Sequence, residues 1–114
     1  MNYQIVTTDD FDKNVKALSK KYNSLKADLI AFQDELLKNP NIGDDLGSNT
    51  RKVRMAIASK NKGKRGGARI ITYHFLVDVI NTKIYLLTIY DKGEQNSIST
   101  QEIKYLKETN GLVF

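Results

Sequence analysis

The spacing of apolar positions changes period several times along the chain, and each change marks an element. Residues 3–7, Y-Q-I-V-T, form a short β-prone run and predict an amino-terminal strand. Thr7, Thr8, Asp9 and Asp10 end it, supplying an N-cap and placing acids in the first turn of a helix, where its dipole favours them. Phe11, Val15, Leu18 and Tyr22 then recur at i, i+4, i+7 and i+11, the stripe of an amphipathic helix. Asn23 and Ser24 interrupt this stripe and are placed to cap a second helix on Leu25, Leu29, Phe32 and Leu36, with Ile30 and Leu37 beside them, ending before Asn39 and Pro40. So short a joint predicts a helical hairpin lying on a sheet, with Lys13, Lys16, Lys20, Asp28, Asp34 and Lys38 outward. Residues 41–50, with Gly43 and Gly47 around Asp44 and Asp45, read as a connecting loop. Its carboxylates lack the spacing of a calcium loop.

Residues 51–58 alternate, with Val53, Met55 and Ile57 on one face and Lys52, Arg54, Ala56 and Ala58 on the other, the period of a half-buried strand. Residues 70–79 and 83–90 are the most apolar runs and carry apolar residues on both faces, predicting central strands covered on each side. Asn81 and Thr82 lie in the hairpin connection between them. Ser99-x-x-Glu102 is a capping box that opens a short helix over residues 101–108, stopped by Asn110-Gly111. The closing Leu112, Val113 and Phe114 must pack on the core or on a partner. The predicted fold is α+β: a small, mostly antiparallel four-stranded sheet with an N-terminal helical hairpin and a short C-terminal helix, in the order β-α-α-β-β-β-α, as one domain over residues 1–114.

Charge sharpens this picture. Residues 1–48 carry six cations against eight acids, and residues 49–114 carry twelve against five, so the formal charge of +5 is concentrated in one half. The stretch from Arg51 to Arg69 holds eight cations, and no acid occurs between Asp45 and Asp78. Gly63, Gly66 and Gly67 interrupt Lys60, Lys62, Lys64 and Arg65 in a loop that exposes backbone amides. Such a loop is often only a solvated hairpin, and cations on an open strand face are often only its solvent side. Here loop, strand face and following strand are all cationic, bringing Lys52, Arg54 and Arg69 together as a phosphate-binding surface for a polyanion.

Composition excludes several chemistries. With no cysteine there is no disulfide, thiol nucleophile or thiolate metal site. The one histidine, His74, lies in an apolar run and reads as a buried side chain bonded to backbone. Tyr73, Tyr85 and Tyr90 read as sheet aromatics, with one near a strand end available to stack on a base. No metal and no cofactor are expected. The amino terminus lacks a charged leader with an apolar core, and no apolar run approaches the ~18 residues of a membrane span. A cytoplasmic protein with no membrane partner is expected.

The strings V-R-M-A-I-A-S-K-N-K-G-K-R-G-G-A-R-I-I-T-Y and I-Y-L-L-T-I-Y-D-K-G-E-Q-N-S-I-S-T-Q-E resemble the RelE/HigB toxins of bacterial type II toxin–antitoxin modules, within the RelE/ParE superfamily. The likeness covers residues 51–107, centred on G-K-R-G-G-A-R and L-T-I-Y-D-K; before Arg51 only element order and the tail L-L-K-N-P-N-I-G-D agree. It implies the β-α-α-β-β-β-α fold and a messenger RNA endonuclease acting in the ribosomal A site, held inactive by a cognate antitoxin. The resemblance places Lys52 and Arg54 on the family's basic strand, Arg69 on the arginine after its glycine pair, and Lys92 on the cation ending the last strand. Gly93 and Ser99 stand where the best-known RelE pattern has a second cation and a tyrosine, and the histidine-rich site of some HigB proteins is absent.

Cleavage of RNA through its own 2′-hydroxyl needs a base, positive charge for the developing dianion and an acid for the leaving 5′-oxygen. The expected roles are Arg69 as transition-state stabiliser, Lys52 or Lys92 as a base whose charged form neighbouring cations disfavour, and Arg54 on phosphate. Lys60, Lys62, Lys64 and Arg65 are expected to grip RNA backbone. The expected partners are a cognate antitoxin, the ribosome and messenger RNA. The alternatives are a ParE-like gyrase inhibitor and an RNA- or ribosome-binding module without catalysis.

Overall fold

The computed structural model describes residues 1–112. The expectation for the apolar terminus is therefore met only at Leu112, which is buried, while Val113 and Phe114 lie outside the described residues. The elements are β1 (Asn2–Thr7), α1 (Asp9–Lys21), α2 (Leu25–Lys38), β2 (Asp44–Gly47), β3 (Thr50–Met55), a 3₁₀ turn at Ala58–Lys60, β4 (Ala68–Leu76), β5 (Asn81–Asp91) and α3 (Thr100–Thr109). The class is α+β, as the periodicity predicts. The expectation of four strands is corrected: one five-stranded sheet runs in the order β1-β5-β4-β3-β2. It is mixed, because β1 runs parallel to β5 while the other pairs are antiparallel.

The added strand lies in the segment read as a connector. Asp44 pairs with Lys52 and Asp45 with Arg51, and Ser48 and Asn49 close the hairpin with φ of 52° and 59°, the left-handed pair that a two-residue turn requires. D-D-L-G has neither β propensity nor a buried position to betray it. It is a strand only because β3 offers its edge.

Both helix stripes form. Phe11, Leu18, Leu25, Leu29, Phe32 and Leu36 pack with Val53, Met55, Ile57, Ile70, Ile84, Leu86 and Ile89 into the larger core. Ile30 and Leu37 are instead exposed. Thr8 caps α1, its Oγ1 accepting from the Phe11 amide at 3.2 Å. Ser24 makes no side-chain cap to α2: its hydroxyl donates to Asp28 at 2.7 Å and accepts from the Ser59 amide at 2.9 Å. On the opposite face Ile71 and Leu87 pack with Ile103 of α3 and with Leu112. Alternation sends Leu86 and Leu87 to opposite cores, and the β4–β5 register shift between Ile71 and Thr72 inserts one extra β5 residue, so that Ile89 returns to the core of Leu86. Ser99 caps α3, accepting from the Glu102 amide at 3.0 Å.

Candidate nucleic-acid interface

Val53, Ile70 and Ile89 stand in one cross-strand row, and Arg54, Arg69 and Tyr90 in the next. Successive residues of a strand face opposite ways. Since the first row enters the helical-hairpin core, the second lies on the α3 face. Lys52, paired with Ile71, shares that face. The predicted meeting of Lys52, Arg54 and Arg69 is thus made by alternation and register.

The three cations are not equivalent. Arg54 is exposed and Lys52 half-buried, and among the described residues neither side chain has a hydrogen-bond or ion-pair partner. Arg69 is only 5% exposed. Its Nη1 donates to the carbonyls of Lys64 at 3.0 Å and Ala68 at 3.1 Å, and its Nη2 to that of Arg65 at 3.0 Å. Burial, followed by the Arg54 charge, lowers its pKa, although a guanidinium stays protonated. Its free donors are few.

The basic loop is tied down at several points. The Lys60 ammonium lies 2.7 Å from Asp91, with the two side chains 10% and 1% exposed. Asp91 also accepts from the Tyr22 hydroxyl and, at 2.9 Å, from the Gly93 amide. Burial pushes the Asp91 carboxyl up, but Lys60, Tyr22 and the Gly93 amide outweigh it and hold the group at about 2. Lys60, expected to grip RNA backbone, is held in the unbound protein by Asp91. Lys64 makes an exposed ion pair with Glu35 at 2.9 Å, the kind that contributes little and opens readily. Lys62 and Arg65 are exposed and have no side-chain partner among the described residues. Lys92 donates to the Asn96 carbonyl at 3.0 Å and to its side chain at 2.6 Å, at the end of β5 after Tyr90 and Asp91.

Gly67 explains the glycine pair of the loop. A Cβ there would stand 2.1 Å from the Met55 carbonyl oxygen, so only glycine lets the loop re-enter the sheet beside β3.

The sequence reading assigned Asp44 to a connecting loop and left Tyr90 among the sheet aromatics, placing neither beside the basic row. Asp44 stands opposite Lys52 in register and its charge acts on Arg69, so the cluster has an acid neighbour. The acid-free window is a property of the sequence and not of the space around it: Asp91, Glu35 and Asp44 all come from outside. Tyr90, in the row of Arg69, has a buried hydroxyl with no hydrogen-bond partner among the described residues, and burial raises its pKa. A cation after an apolar strand is visible in sequence; which aromatic shares its row is not.

His74 is half-buried, on the helical-hairpin face opposite this surface, paired with Ile84. Burial and the Arg51 charge lower its pKa, with the Pro40 carbonyl opposing, so the ring is neutral at pH 7. Its backbone amide bonds the Asn49 carbonyl at 2.9 Å, while Nε2 has no hydrogen-bond partner among the described residues. The expected backbone bond of the ring is to the Pro40 carbonyl, beside the main-chain bond to Asn49.

The described residues contain no cluster of His, Cys, Asp and Glu placed to hold a metal and no helix long and apolar enough to cross a membrane. Comparison with models of known protein families finds none that matches this chain.

Proposed function

We propose that the protein is the toxin of a toxin–antitoxin module, a ribosome-dependent messenger RNA endonuclease resembling RelE and HigB. The observation that carries this reading is the row of Lys52, Arg54 and Arg69 on one sheet face, beneath a loop whose Lys62 and Arg65 are exposed. Single-stranded backbone laid across that face meets Arg54 and Lys52 first. Arg69 acts mainly by fixing the loop carbonyls, and contributes its charge to the phosphate dianion from behind Arg54. Asp44 and Lys52 face each other in register, and the Asp44 carboxylate of this pair takes the 2′-hydroxyl proton as that oxygen attacks phosphorus. As the P–O5′ bond breaks, the Lys52 ammonium of the same pair donates a proton to the leaving 5′-oxygen. An antitoxin shields the basic face with acidic or wrapping chain.

The test is cleavage mapping in a translation extract, with transcript 5′ ends located by primer extension. Arg54→Ala and Lys52→Ala are the informative controls, because Arg69→Ala also releases the loop. Codon-phased cuts that need ribosomes and vanish in both variants support the proposal. Uncut transcripts with the protein still on ribosomes select the second reading, a binding module without catalysis, which the commitment of Arg69 to three carbonyls favours. Gyrase-dependent DNA breaks with intact transcripts would select the ParE-like reading.

A further inference from the structure

We propose that the groove between the β2–β3 hairpin and α3 is a nucleobase subsite, holding a base of the strand whose phosphates lie on Lys52 and Arg54; this rests on the polyanion reading above. The groove has a volume of about 320 Å³, at the small end of ligand pockets, which run from ~300 to 1,000 Å³. Leu46, Ile98 and Ile103 give it apolar walls, Thr50 lies at the sheet, and Lys104 and Lys107 stand on the helix. None of its lining residues is an acid. A flat apolar ring with polar edges and a negatively charged backbone matches that combination of surfaces.

Its position continues the basic row. Thr50, Lys52 and Arg54 are alternate residues of β3 on one face, about 6.6 Å apart per two-residue step, so a strand held at Arg54 and Lys52 arrives at Thr50. Leu46 is 43% exposed on the wall of this groove. Lys107 closes the far wall, its ammonium 4.6 Å from the centre of the Tyr73 ring and 3.4 Å from the Ser48 carbonyl. Lys104 is exposed, with no partner among the described residues, and is free to meet a phosphate.

The experiment compares two fluorescein-labelled 2′-O-methyl hexanucleotides, one carrying bases and one fully abasic, by anisotropy with the full-length protein. The 2′-O-methyl groups remove the attacking hydroxyl, so binding is read without cleavage. The wild-type protein is expected to bind the base-bearing strand roughly fivefold or more tightly than the abasic one. Leu46→Glu is expected to bring that ratio towards one, and Leu76→Glu, at a position 64% exposed on β4, to leave it unchanged. The ratio cancels the loss that any added acid causes on a polyanion. Equal, salt-sensitive binding of both strands by the wild type would overturn the subsite and leave phosphate binding standing, as would a ratio preserved in Leu46→Glu. Failure of both strands to bind at low salt would overturn the polyanion reading and the subsite with it.

Discussion

Arg54 and Arg69 stand directly opposite each other on β3 and β4, yet one faces solvent and the other is 5% exposed with its guanidinium turned onto loop carbonyls. Two like charges in one cross-strand pair are unfavourable. The pair persists because Arg69 gains hydrogen bonds to three carbonyls. The outer arginine is thereby left free for a ligand, on a base that the inner one holds in shape.

The first prediction separates these two roles. Arg69→Ala removes charged hydrogen bonds and is expected to cost about 2–3 kcal/mol of stability. Arg54→Ala relieves the repulsion and should change stability by no more than ~0.5 kcal/mol in either direction. Both should weaken ribosome or RNA binding. Urea unfolding of the two variants beside wild type checks this, and equal destabilisation would mean that Arg54 is structural too.

The Asp91 carboxyl predicts a pH dependence. Its folded pKa, about 2, lies below the unfolded value of ~3.9. The resulting stability is therefore fully present above about pH 4 and is lost as pH falls through 2; its size is on the order of 2 kcal/mol. Asp91→Asn should abolish that acid-limb dependence and, by leaving the Lys60 ammonium buried without its anion, cost about 3–5 kcal/mol at neutral pH. Asp91→Asn with Lys60→Met is expected to recover part of it. Thermal melts from pH 2 to 7 on the three proteins provide the measurement.

What the sequence disclosed and what it hid have physical causes. Helix stripes were legible because Phe11, Leu18, Leu25, Leu29, Phe32 and Leu36 repeat over turns that all face one core. The basic face was legible because period-two alternation fixes Lys52 and Arg54 on one side. β2 was hidden because an exposed edge strand is specified by its neighbour and not by its own residues. The burial of Lys60 was hidden because its partner, Asp91, is 31 residues away, and a lysine in a glycine-rich loop carries no mark of that contact. Arg69 was legible as a member of the basic row, but its turn onto the Lys64 and Arg65 carbonyls follows from the loop's path and not from composition.

Gly67 gives the steepest glycine contrast. Gly67→Ala places a methyl 2.1 Å from the Met55 carbonyl oxygen, where backbone must move, and should cost ~3 kcal/mol or more. Gly63→Ala meets open space but keeps φ at 63°, so about 1–2 kcal/mol is expected from the left-handed backbone alone. Hydrogen exchange of the β3 and β4 amides should accelerate in Gly67→Ala and not in Gly63→Ala.

The loop cations are predicted to divide by their partners when binding to single-stranded RNA is titrated against salt. Each phosphate contact on a single strand contributes a slope of about −0.7 in log affinity against log salt. Lys62→Ala and Arg65→Ala remove free, exposed charges and should each reduce the slope by about that amount without altering the melting temperature. Lys64→Ala should reduce it by less, since Glu35 already holds the ammonium in the unbound protein and must be displaced on binding. Lys60→Ala should leave the slope unchanged and lower the melting temperature, because its charge neutralises Asp91 and not a phosphate. A slope change for Lys60→Ala as large as that for Lys62→Ala would show that the Asp91 pair opens on RNA, and the loop would then have to be treated as a clamp that rearranges on its ligand.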